Sequence, residues 1–144
     1  MDRDTGLGSS RSRHLVGISV ILLVVAGLAG CGSGAALPPD SAPPEVVLTA
    51  YLIALKAGDC GTAHQLADPS FTRSNGDLCG DLHVSAFSPL TGPATPRDGE
   101  VVFSTELTTS GGDFSMRDGQ HTVFYTLDRQ PNGVWRISGG GSGP

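Results

Sequence analysis

The chain has 144 residues, with nine Lys and Arg against fourteen Asp and Glu, a formal net charge of −5, and an aromatic content of only 6%. That length fits one domain of ordinary size plus extensions. The acidic balance lacks the basic footprint of a nucleic-acid-binding protein, so nucleic acid is not an expected partner.

The first thirty-one residues form a pattern of their own. Arg3, Arg11, Arg13 and His14 give a short, mixed but net positive start, followed by Leu15 to Ala29 (LVGISVILLVVAGLA) without a charged side chain. These fifteen residues match the upper end of a signal-peptide core and fall short of the ~20 that a spanning helix needs. The run ends in Leu28-Ala29-Gly30-Cys31: a branched apolar residue, two small ones, then a thiol. This resembles the lipobox of bacterial lipoproteins. The resemblance implies that residues 1–30 are a lipoprotein signal peptide and that Cys31 is the lipidation site. The mature chain is then extracytoplasmic, lipid-anchored to the cell membrane, with the membrane itself as its first partner. Arg11 and Arg13 are not adjacent, so the general secretory route is expected rather than the twin-arginine route. Three of the nine basic and two of the fourteen acidic residues lie in 1–30, leaving a mature net charge of −6.

Residues 31–44 comprise Cys31 and GSGAALPPDSAPP, a composition that predicts a flexible, solvated tether. Its thirteen residues after Cys31 reach up to about 40 Å at ~3.3 Å each. The domain proper is expected over 45–138. Pro43-Pro44 suits the first turn of a helix, Glu45 the positive end of its dipole, and Gly58 its left-handed end. Between them Val47, Leu48, Tyr51, Leu52 and Leu55 recur at three- and four-residue steps and mark one buried stripe. Asp59 is a good N-cap for a second helix carrying Cys60, Ala63, Leu66 and Ala67, ended by Pro69. With Cys31 assigned to lipid, Cys60 and Cys79 are left as an even pair outside the cytoplasm, which predicts a disulfide. Asn75 to Leu82 is expected as a turn or short helix that brings Cys79 back to Cys60.

From there the apolar period changes to two. Strands are predicted over His83–Phe87, closed by Pro89, then Glu100–Thr109, Gln120–Asp128 and Val134–Ser138, with Asp118-Gly119 and Asn132-Gly133 as hairpin turns. Residues 139–144 are expected as a flexible Gly-rich tail, since no helix follows them to make a phosphate-binding loop. Helices first and strands after argue for an α+β fold with an antiparallel sheet of about four strands, covered on one side by the helices.

Ala50-Tyr51-Leu52, Ala57-Gly58-Asp59-Cys60 and Gly133-Val134-Trp135-Arg136-Ile137 carry a second resemblance. Over residues 45–138 the chain resembles the nuclear-transport-factor-2-like (NTF2-like) superfamily, including its SnoaL-like and cystatin-like lipoproteins, and most of all small actinobacterial ones. The resemblance implies a curved sheet wrapped around helices as a cone with an apolar pocket. It leaves function open, because that fold hosts both enzymes and binding domains.

Tyr51, Phe103, Tyr125 and Trp135 are the large side chains that stripe and alternation turn inward. They line the candidate pocket, or else form a solid core. Val102, Phe124 and Val134 alternate onto the opposite side and make a candidate interface, for a homodimer or for another envelope protein. No catalytic residue is assigned. Tyr51 reads first as a core aromatic and His64 as a partly exposed histidine. His83 and His121 have no metal-ligand spacing, and Asp128 has the parity to meet solvent. No metal or cofactor is expected. Three functions remain: a non-catalytic binding module for a small apolar ligand or lipid, an accessory subunit of an envelope complex, and an enzyme of the SnoaL or ketosteroid-isomerase type. An open apolar pocket favours the first and a closed interior with an apolar outer face favours the second.

Overall fold

A computed structural model describes residues 35–74, 76–113 and 116–142. The expected signal peptide, Cys31 and residues 32–34 of the tether lie outside the described residues. No helix among the described residues is long and apolar enough to cross a membrane.

Helix α1 runs Pro44–Ala57 with proline in its first turn and Glu45 beside it. It ends at Gly58 (φ 67°). There the Gly58 N–H donates to the Leu55 carbonyl at 3.0 Å and the Asp59 N–H to the Ala54 carbonyl at 2.9 Å, which satisfies carbonyls that a helix end otherwise leaves open. Every member of the expected stripe, Val47, Leu48, Tyr51, Leu52 and Leu55, is buried. Helix α2 is Cys60–Gln65, capped by the Asp59 carboxylate, which accepts the Thr62 N–H at 3.0 Å. It stops earlier than expected. Leu66 to Asp68 instead lie along the edge of the last strand, the Ile137 N–H donating to Leu66 O at 3.1 Å and the Asp68 N–H to Ile137 O at 2.7 Å. A one-turn 3-10 helix, Phe71–Arg73, follows.

The sheet has five strands among the described residues: β1 His83–Phe87, β2 Thr91–Arg97, β3 Glu100–Ser110, β4 Gly119–Arg129 and β5 Trp135–Gly141. All pairings are antiparallel. β1 and β2 lie end to end along one edge of β3, β1 against Leu107–Ser110 and β2 against Glu100–Ser104, and the order continues through β4 to β5. The expectation of four strands is therefore corrected to five. The missed strand, β2, carries Pro93 and Pro96, residues that cannot donate to a ladder and are tolerated only at an edge. β2 is such an edge.

The Gly-rich end is also corrected. Gly139 pairs with Thr126, Gly140 with Tyr125 and Gly141 with Phe124, so these glycines extend β5 rather than forming a loose tail. Their lack of side chains has a packing reason. A Cβ on Gly140 would come within 3.2 Å of the Phe71 ring, and one on Gly76 within 2.4 Å of the Gly140 carbonyl oxygen. Only paired glycines let Phe71 and Gly76 lie this close to β5.

Packing defines the two faces. Helix α1 lies against β1, β4 and β5, and Val101, Phe103, Leu107, Val123, Tyr125, Leu127 and Ile137 are buried on that side. Part of the segment expected as tether is instead packed on the domain: Ala42 is buried, Ala35 lies against the core and the Ala42 N–H donates to Pro39 O at 2.8 Å.

Candidate functional site

Three rings meet in the middle of the core. Tyr51 comes from α1, where the three- and four-residue period turns it inward, Tyr125 from the buried parity of β4, and Phe71 from the 3-10 turn. Tyr51 stands edge-on to Tyr125 at 5.7 Å between centroids and edge-on to Phe71 at 6.2 Å, the arrangement that aromatic quadrupoles favour. The hydroxyls of Tyr51 and Tyr125 are both buried without a hydrogen-bond partner. Such groups are uncommon in folded proteins, because each leaves a desolvated dipole unmet.

Asp77 is the charged group next to this pair. It is 8% exposed and sits in the segment that leads into the disulfide. Its Oδ1 accepts the Cys79 N–H at 3.1 Å, and its Oδ2 lies 2.8 Å from Nε2 of His64 on α2. Burial pushes the Tyr51 hydroxyl far above the usual phenol range, with the Tyr125 ring and the Asp77 carboxylate adding to the effect. Burial first and Asp77 second do the same to Tyr125. The approach of Asp77 to the Tyr51 hydroxyl is too long or too bent to be a hydrogen bond. Both phenols are therefore neutral donors, unsuited to act as bases. Neither lines any of the three surface clefts described below, so the polar pair is sealed from solvent.

The Cys60–Cys79 disulfide closes beside this cluster, with Cα atoms 5.5 Å apart, as the count of cysteines predicts. It ties α2 to the segment carrying Asp77, so His64 and Asp77 are held across the same covalent staple.

Three clefts lie around this core among the described residues. The largest, about 710 Å³, lies beyond Asp77 and is walled by Leu78, Leu82, Met116, Val123 and Gly141. A second of about 240 Å³ lies where Leu37, Pro38 and Pro39 face Val47, Leu66 and Val134. The third, about 410 Å³, is polar and includes Arg97, Glu100 and Asp128. There Glu100, buried at the start of β3, receives Arg97 Nε–H at 2.8 Å, with Nη2 on the same oxygen. Among the described residues no three His, Cys, Asp or Glu side chains are grouped as a metal would require.

The four expected pocket residues are brought to one core, and among the described residues none of them lines any of the three clefts. Tyr51 and Tyr125 are 0% and Phe103 3% exposed. Trp135 packs on the same core only partly buried, opposite Arg129 at the start of β5. Of the expected interface, Val102 and Phe124 are half-buried on the sheet face turned away from the helices. Val134 is not there. It precedes β5, where strand alternation does not apply, and is buried beside Leu37 and Leu66. His64 is exposed, as expected of a surface histidine, yet it is paired with Asp77. His83 is exposed, and His121 Nε2 lies 2.6 Å from Arg117 O. Sequence reasoning missed Asp77 and Phe71. The only signal for Asp77 was its place in Gly76-Asp77-Leu78-Cys79, two residues before a bridged cysteine.

Comparison of the chain with family models, with curated proteins and with solved structures finds no match in any of the three.

Proposed function

We propose that this chain is an extracytoplasmic lipoprotein whose NTF2-like domain serves as a non-catalytic accessory subunit. It docks to another envelope protein through the outer face of its sheet. The observation that carries this reading is the closed core, in which Tyr51, Phe103 and Tyr125 are at most 3% exposed and open onto none of the three clefts. The NTF2-like assignment draws support from helices that precede an antiparallel sheet and cover one face of it.

The outer face supplies the contact. Val102 on β3 is two residue pairs along from the Ser104–Phe124 pair, so Val102 and Phe124 are diagonal neighbours on one face of the β3–β4 ladder. On β5 the residues opposite Phe124 and Thr126 are Gly141 and Gly139, which offer no side chain to cover the ring. Ser104, Glu106 and Thr122 surround this apolar centre with polar groups, the anatomy of a modest protein contact. A photo-crosslinking amino acid at Ser104, in cells of the native host, tests the reading. The expected result is one discrete adduct with an envelope protein, lost on Phe124→Asp. An adduct with a second copy of this chain would make the contact a homodimer. The absence of any adduct from this face would sink the docking role.

A further inference from the structure

We propose that the exposed stripe of α1, Val46 and Ile53 with Leu37 beside it, is the surface that rests on the lipid bilayer. This deepens the reading above and rests on its lipoprotein part. Leu37, Val46 and Ile53 are the large apolar side chains left open to water among the described residues, at 51%, 43% and 46% exposure. Val46 and Ile53 are two helical turns apart and share one stripe. The Thr49 hydroxyl between them donates to the Glu45 carbonyl at 2.7 Å, so it presents no unmet donor to an apolar phase. Lys56 follows one turn after Ile53, exposed in the last turn of α1, with a stem long enough to keep its ammonium among headgroups. Leu37 lines the groove against Val47, the neighbour of Val46.

Single exposed apolar residues are ordinary on any protein. The length of the free chain is what selects the bilayer as occupant here. Ala35 packs on the core and Ala42 is buried in it, so only residues 32–34 separate Cys31 from the folded body. Four Cα steps span at most about 14 Å, a third of the reach that the whole tether would give. Acyl chains on Cys31 then hold the end of the chain that enters α1 within contact range of the membrane surface, and apolar side chains there sink into the boundary region. Helix α1 covers the inner side of the sheet, so a bilayer on its outward stripe leaves Val102 and Phe124 directed away from the membrane, where a partner meets them.

The test uses the full lipidated chain in phosphatidylethanolamine–phosphatidylglycerol vesicles, with a fluorescent amino acid at Ile53 or, for comparison, at Glu106 on the outer sheet face. The expected result is several-fold stronger quenching of the probe at position 53 by a lipid-borne nitroxide, and several-fold weaker quenching by iodide, than at position 106. Equal access of iodide to both positions, with mass analysis showing lipid on Cys31, would overturn the membrane face alone. A Cys31 without lipid would remove the lipoprotein reading and the membrane face with it.

Discussion

The ring of Tyr51 stands edge-on to that of Tyr125 at 5.7 Å, with both hydroxyls buried and unpartnered. This contact joins α1 to the middle of the sheet and fills the space between them.

The same pair gives a prediction at high pH. Tyr51 and Tyr125 are the only tyrosines in the chain, and burial raises both above the ordinary phenol value of 10.0. A folded-state pKa raised above the unfolded one contributes stability that is fully present below the unfolded value and lost as pH climbs beyond it. Absorbance at 295 nm should therefore show no phenolate through pH 10 while the domain is folded, then both ionising together as it unfolds. Either tyrosine titrating near 10 with native circular dichroism would contradict the sealed pair.

Reducing the Cys60–Cys79 bond should destabilise the domain without abolishing the fold. The residues are 19 apart in sequence, a loop for which chain entropy gives roughly 3 kcal/mol, or on the order of 10–20 °C in Tm. Thermal unfolding with and without reductant measures it. An unchanged Tm would mean that the bridge constrains nothing.

Gly140→Ala and Gly141→Ala, one residue apart, should behave oppositely. At Gly140 a Cβ would press on the Phe71 ring at 3.2 Å, the Gly76 carbonyl at 3.3 Å and the Tyr125 ring at 3.3 Å, whereas at Gly141 nothing lies within 4 Å. The first change should cost about 1–3 kcal/mol through overpacking. The second should be neutral or slightly stabilising, because alanine narrows the unfolded ensemble. Chemical denaturation of both variants checks the pair, and equal midpoints would refute the close approach of Phe71 and Gly76 to β5.

Much of the fold was legible because local chemistry and tertiary packing agree. The Val47 to Leu55 stripe, the Gly58 stop, the Asp59 cap and the alternation in β3 and β4 all read directly from periodicity. What escaped depends on neighbours distant in sequence. Thr91–Arg97 reads as a loop because of Gly92, Pro93 and Pro96, and pairs only because β3 offers an edge that asks little of its donors. Gly139 to Gly141 read as a tail, since nothing local says that Phe71 needs a bare backbone to lie on. Leu37 to Ala42 read as tether, yet Ala42 is buried in a core most of whose other members lie far along the chain. The pocket residues were identified by side but not by whether they leave space. Asp77 escaped because its partner His64 and the two tyrosines it lies near come from three other elements.

Cys31→Ser should abolish incorporation of a fatty-acid analogue and leave a precursor that retains residues 1–30. Equal labelling of wild type and variant would end the lipoprotein reading.

Native mass spectrometry of the protein extracted in mild detergent from its own membranes tests the central claim most directly. A closed interior and a docking face predict that the chain leaves the membrane joined to a protein partner, with no small molecule held inside the folded domain. A monomer carrying one apolar molecule per chain, beyond the lipid on Cys31, would contradict the account.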